Sequence, residues 1–318
     1  MKTAWDRSAR QYVPIALTIC IGVALSLVVF AAVRAWERRG IQLSFERASH
    51  DHMAAVRREI EDDVGVLRAI AAFFAASHEV DRHEFRTFVQ PFLEPRPGIQ
   101  ALEWIPRVPD AQRQAYEEAA RREGYPTFQI TERHNQGRMV RASRREEHFP
   151  VYYLEPYKGN EIALGFDLAS NPTRLEGLHK ARDTGEMVAT ARITLVQETG
   201  KQFGVLAFLP VYRKDAPTDT VGARRDSLVG FILGVFRIGD MVDKSLTYLR
   251  TQGIDIHVYD TSAPAGKRLL HLHASGEQPG AAHPIDKAET EHRHGLYAAE
   301  TFAIAGRTWL VLCTPAPG

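Results

Sequence analysis

From Val13 to Val33 the chain reads VPIALTICIGVALSLVVFAAV, 21 consecutive residues without a charge. As a helix rising 1.5 Å per residue, this run is about 31 Å long, the thickness of a bilayer's hydrocarbon core. Pro14 falls in the first turn, where its missing N–H costs least. A cleaved leader would carry an apolar stretch of only ~7–15 residues ending in a small-residue cleavage site. This run is longer and passes into Arg34, Glu37, Arg38 and Arg39 within a helical pattern. The expectation is an uncleaved transmembrane helix. Lys2, Arg7 and Arg10 precede it and Arg34, Arg38, Arg39 and Arg47 follow it, so the positive-inside count does not choose a side.

Beyond the span, apolar residues recur at Met53, Val56, Ile60, Val64, Leu67, Ile70 and Phe74 in steps of three and four, one face of a helix. Between them lie Arg57, Arg58, Glu59, Glu61, Asp62 and Asp63. A helix from Trp36 to Ala76 would be ~60 Å long. Its stripe serves either as a seam between two copies or as the face packed on its own domain. A second helix is expected over 82–93 and a strand over 99–108 ending at Pro106, followed by a helix over 111–123 capped by Asp110. Strands are expected at 127–132 and 149–154, and a helix over 175–183 ends at Gly185. Three β-rich runs follow at 188–196, 203–211 and 228–237, the first two joined as a hairpin. A polar loop at 213–226 separates two units, and the second holds a helix near 239–249 and strands at 254–259, 296–304 and 308–313. Short helices among strands, without a βαβ rhythm, give an α+β class with antiparallel sheets.

Of the 318 residues 44% are hydrophobic and 25% charged, enough apolar material for a real core. Lys plus Arg number 40 against 39 acids, a net charge of +1, and no basic stripe marks a nucleic-acid surface. Cys20 lies in the apolar run and Cys313 near the C-terminus, so no disulfide is expected between them. No nucleophile elbow, P-loop or ATP-lid signature occurs, and the spacing from His78 to His83 is one residue too long for the zinc helix H-E-x-x-H. His257, His271, His273, His283, His292 and His294 crowd the last quarter, and H-x-H on a strand aims two imidazoles at one face. No cysteine or regular acidic partner accompanies them along the sequence, so neither a metal site nor a cofactor is expected.

Several strings resemble one family in order and spacing: WIPRV (104–108), HFPVYYLEP (148–156), GFDLASNPTR (165–174), ARDTGEMVATARITLV (181–196), GVLAFLPVY (204–212), GFILGVFRI (230–238) and IHVYD (256–260). They are similar to the CHASE domain, the extracellular sensory domain of cyclases and histidine kinases, well over 85–260 and weakly elsewhere. The resemblance implies a cytoplasmic N-terminus (1–12), a transmembrane helix (13–33), a stalk helix (34–80), a membrane-distal PAS-like ligand-binding unit (81–222) and a membrane-proximal PAS-like unit (223–318). It also implies a homodimer in the cytoplasmic membrane with its sensor outside, and a cytoplasmic kinase or cyclase after a second span. The sequence stops at Gly318, just before such a span would begin.

In plant cytokinin receptors of this family an aspartate shortly before the ARETG-like string holds the adenine ring, and an ungapped count places Arg174 there. An arginine offers five donors and no acceptor, so the expected ligand is a small molecule with an anionic group rather than a neutral cytokinin; the bland alternative makes Arg174 a local helix-start partner. The same resemblance puts Thr190 on a strand entering the pocket, Val196 as a backbone contact and Phe208 as a lining side chain. Asp167 and Tyr152 complete the candidate set. Asp167 has a structural alternative as partner of Arg182, and Tyr152, like Tyr212, has one as a core aromatic. The rival to a sensor is a membrane-tethered scaffold whose units merely dimerise.

Overall fold

The computed structural model describes residues 5–134, 137–193, 203–249, 253–275 and 296–316, and the chain divides into two compact units, 1–50 and 51–318. Helix α1 (Trp5–Ala76) begins in the first and ends in the second, so the expected span and stalk are one continuous helix. Among the described residues it alone is long and apolar enough to cross a membrane. In the first unit Leu25, Val28 and Phe30 are 63%, 64% and 61% exposed. A helix apolar all round has no water-facing side, and lipid is its natural surrounding.

In the second unit the stripe predicted from the three-four spacing is spent inside the chain. Val56, Ile60, Leu67 and Ile70 are completely buried, and Met53 and Val64 nearly so. The seam reading for these residues is therefore corrected: they pack on their own domain. Against Leu67 stands Gly234, where a Cβ would lie 3.0 Å from a Leu67 methyl and 2.5 Å from the Phe236 ring. Farther along, Phe74 meets Trp104 at a ring separation of 4.4 Å. After α1, Asp81 opens helix α2 (Arg82–Leu93) with a capping box, its carboxylate accepting from the Glu84 N–H while Glu84 accepts from the Asp81 N–H.

The remaining elements are β1 (Ile99–Pro106), β2 (Val108–Pro109), α3 (Arg113–Arg122), β3 (Thr131–Arg133), β4 (Met139–Arg141), β5 (Glu147–His148), β6 (Tyr153–Glu155), α4 (Pro172–Thr184), β7 (Val188–Ala189), β8 (Gly204–Tyr212), α5 (Val221–Ser227), β9 (Leu228–Arg237), α6 (Ile238–Leu246), β10 (Ile254–Asp260), β11 (Leu269–His273), β12 (Ala298–Ile304) and β13 (Arg307–Pro315). The first sheet is antiparallel in the order β6-β1-β9-β8-β7. Its side chains divide by strand alternation. Ala101, Ile105, Leu206, Phe208, Phe231, Leu233 and Val235 share a core with Leu178 and Ala181 of α4. On the other face Val205, Ala207 and Phe236 meet Val64 of α1. Covered on both faces, these strands read as nearly continuous apolar runs.

The second sheet, β11-β10-β13-β12, is also antiparallel, giving the α+β class with antiparallel sheets. The division drawn at 222/223 assigns the 228–237 run to the second unit. The pairing overrides that boundary, because β9 lies in the middle of the first sheet, with Glu103↔Leu233 on one side and Phe208↔Leu233 on the other. The polar stretch 213–226, expected as loop, contains α5, whose first turn is capped by the Thr220 hydroxyl accepting from the Ala223 N–H.

Candidate functional site

Helix α4 starts where the Asn171 side chain accepts from the Arg174 N–H at 3.1 Å, with Pro172 in the first turn, and stops at Gly185, left-handed at φ +76°. It buries Arg174, Gly177, Leu178 and Ala181, spaced as one helical face. Gly177 permits the close approach to the sheet, since a Cβ there would stand 2.9 Å from the Phe208 ring and 3.8 Å from the Thr190 methyl. Thr190 Oγ1 accepts from the Leu206 N–H at 3.2 Å, which leaves its own proton to donate. Arg174, Thr190 and Phe208 are thus gathered around one helix–sheet contact.

The same apolar layer contains an acid that the sequence reading missed. Glu103 projects from β1 between Ala101 and Ile105, opposite Leu154 and Leu233, all members of that core. It is 2% exposed and Arg174 is 9% exposed. Burial pushes the Glu103 carboxyl up to about 8, with Arg174 pulling the other way. Burial lowers Arg174 to about 10, Glu103 opposing and Arg133 adding to the fall. The guanidinium carbon lies 4.8 Å over the Phe166 ring. Among the described residues, no side-chain hydrogen bond contributes to either group; burial and charge–charge interaction alone shift them. Burial holds the Glu103 carboxyl largely protonated at neutral pH, so the buried Arg174 guanidinium has no ionised partner there and keeps donor capacity to spare. The one clue in the sequence was an acid set inside the strand IQALEWIP.

The other candidates lie elsewhere or serve the fold. Asp167 is completely buried and accepts from Arg145, from His148 Nδ1 at 2.8 Å, and from the Phe149 and Ala169 N–H groups at 2.9 and 3.0 Å. Burial alone would raise its carboxyl, but these donors outweigh that and hold it below the usual range. The expected Asp167–Arg182 pair is not formed. Arg182 turns to Asp183 at 2.8 Å and Glu147 at 3.6 Å. Tyr152 belongs to an aromatic group around Arg82, whose guanidinium carbon stands 4.3, 5.3 and 4.8 Å from the Tyr125, Tyr152 and Tyr153 rings. With Phe74, Trp104 and Tyr116 it lines a separate open cleft of about 940 Å³. The Tyr212 hydroxyl donates to the Arg182 carbonyl at 2.7 Å. Val196, His283, His292 and His294 fall outside the described residues.

The comparisons with known proteins agree with this architecture. The CHASE domain family model matches residues 78–271, more than half of the chain. The chain belongs to the CHASE domain family. A curated relative, Hybrid signal transduction histidine kinase A of Dictyostelium discoideum, is 24% identical over 307 residues, which are 93% of this chain and 14% of that protein. The chain therefore spans about one seventh of that relative's length. The periplasmic sensory domain of the Campylobacter jejuni chemoreceptor Tlp1 has the same fold at 11% identity, with a TM-score of 0.52 over 87% of this chain and 96% of that one. The ligand-binding domain of the Pseudomonas aeruginosa PAO1 amino acid chemoreceptor PctC, solved in complex with GABA, is similar at 13% identity, with a TM-score of 0.45 over 86% and 98%. This CHASE domain thus shares its fold with the Tlp1 sensory domain.

Proposed function

We propose that this CHASE domain is the non-catalytic sensor of a membrane receptor and that a small polar molecule binds where α4 meets the first sheet. The reading rests on one observation: Glu103 and Arg174 are both buried in the apolar layer where α4 packs on the first sheet, close enough to act on each other's charge but with no hydrogen bond between them. A ligand carboxylate or similar anionic acceptor fits the guanidinium fork. A donor on the same molecule fits Glu103, and the free proton of Thr190 adds a third contact. The ligand is therefore expected to carry both an anionic acceptor and a donor, as amino acids do, and neutral N6-substituted adenines are expected to bind poorly. In this account the sensor faces outside the cytoplasm, and a homodimer conveys the change to a cytoplasmic output such as a histidine kinase or diguanylate cyclase. Ligand can drive such a signal only by preferring one of two states of the domain.

A thermal-shift screen of the full chain in detergent, with zwitterions, simple carboxylates, phosphates and N6-substituted adenines, tests the ligand class. A melting temperature that rises with one zwitterion or carboxylate and not with the adenines is expected. Tight binding of an uncharged adenine would overturn it. The close fit of Gly177, Phe208 and Thr190 favours a second reading, a tethered scaffold without a small ligand, which predicts no shift with any class.

A further inference from the structure

The structure supplies the acidic partner that the His271-x-His273 pair lacks along the sequence. Both histidines lie on β11, two residues apart and hence on one face of the strand. Helix α6 packs against that strand. It turns Ile238, Met241, Val242 and Leu246 into the core and leaves Asp243 to meet the histidines. Asp243 Oδ1 is 2.8 Å from His273 Nδ1 and 3.6 Å from His271 Nε2. The three ligand atoms lie within 4.8 Å of one another. His271 Nε2 is enclosed yet makes no hydrogen bond.

We propose that Asp243, His271 and His273 form a binding site for a divalent transition-metal ion, with zinc as the natural occupant. Two imidazole nitrogens are borderline donors that favour zinc over calcium and magnesium, and a carboxylate is a common third zinc ligand beside them. Ligands on a tetrahedral zinc stand about 3.3 Å apart, from bonds of about 2.0–2.1 Å. The two observed Asp243 separations, 2.8 and 3.6 Å, bracket that spacing. The ion would use the enclosed His271 nitrogen, and the exposed side of Asp243 leaves a fourth position to water.

The location gives the site a role. Helix α6 follows β9 without a gap, and its Lys244 is paired with Glu59 of α1. Strand β11 belongs to the second sheet. An ion shared by Asp243 and the two histidines therefore fastens the exit of the first sheet, and through Lys244 the second half of α1, to the second sheet. Zinc would stiffen the joint across which the proposed sensor must move, which makes the ion a modulator of the response rather than its stimulus.

Calorimetric titration of the full, chelator-treated chain in detergent with zinc alone tests the proposal. One ion per chain is expected, with a higher melting temperature in its presence, since an ion that binds only the folded state stabilises it. Asp243→Asn and His271→Ala should each weaken binding by roughly tenfold or more and abolish the zinc-dependent thermal shift. Cobalt substitution provides a readout on the unmodified chain, with the intense visible bands of a four-coordinate site expected. Failure of the unmodified chain to bind zinc, weak octahedral cobalt bands, or full zinc binding by the His271→Ala/His273→Ala variant would each overturn the assignment.

Discussion

Glu103 and Arg174 carry the electrostatics of the candidate site, and their burial has a consequence for the empty domain. A carboxyl at 4.5 in the unfolded chain and about 8 in the folded one takes up a proton on folding between those values. Its contribution to stability is fully present below the unfolded value and is lost as pH rises through the folded one, by on the order of a few kcal/mol. Glu103→Gln removes the titration. The variant should melt close to the unmodified chain at pH 5 and increasingly above it toward pH 8.5. A constant difference across that range, measured by calorimetry, would show that Glu103 is ionised throughout. Arg174 was visible in the sequence because a motif pointed to it. Glu103 was not, because its significance comes from a partner on a helix far along the chain. Asp243 stayed hidden for the same reason: the fold, not the local sequence, brings it to His271 and His273.

Among the elements, α1 separates what periodicity reveals from what it does not. The three-four spacing of Val56, Ile60 and Leu67 identified the helix and its buried face, but spacing does not say whether a face meets its own domain or a second copy. Their complete burial within the chain settles that question for the stripe. Ile60→Lys should therefore destabilise the folded unit, by about 3–5 kcal/mol for an unpaired buried charge, whatever the state of assembly. An unchanged melting temperature together with altered sedimentation would restore the seam reading. Gly234→Val should act in the same direction, because the added atoms meet Phe236 and Leu67; a cost of about 1–3 kcal/mol is expected, read as a lower urea midpoint. Strand β9 was recognised as a strand from its apolar run. Its membership in the first sheet depends on pairing with β1 and β8, which no local pattern encodes. Strand β11 is short and partly polar, and it was not recognised at all.

For the whole molecule, the proposed function places the domain on one side of a membrane, and the arginines on both flanks of the apolar helix leave the side open. With the sensor outside, an alkaline phosphatase reporter fused after Gly318 should be active and a cytoplasm-dependent fluorescent reporter dark; the reverse pattern would invert the topology. The α+β class, the long apolar helix and the family were all legible in the sequence, because apolar length, periodicity and motif order are local properties. The proposed binding face was only half legible, since it is assembled from β1, α4 and β8. In the proposed function, ligand is held on that face through Arg174. The direct measurement is calorimetric titration of the unmodified chain and of Arg174→Ala with the best ligand from the screen. An affinity loss of about tenfold or more is expected, as for a charge-assisted bond contributing roughly 1.5–3 kcal/mol, with little change in the melting temperature of the empty domain. Unaltered affinity in a destabilised Arg174→Ala domain would contradict it.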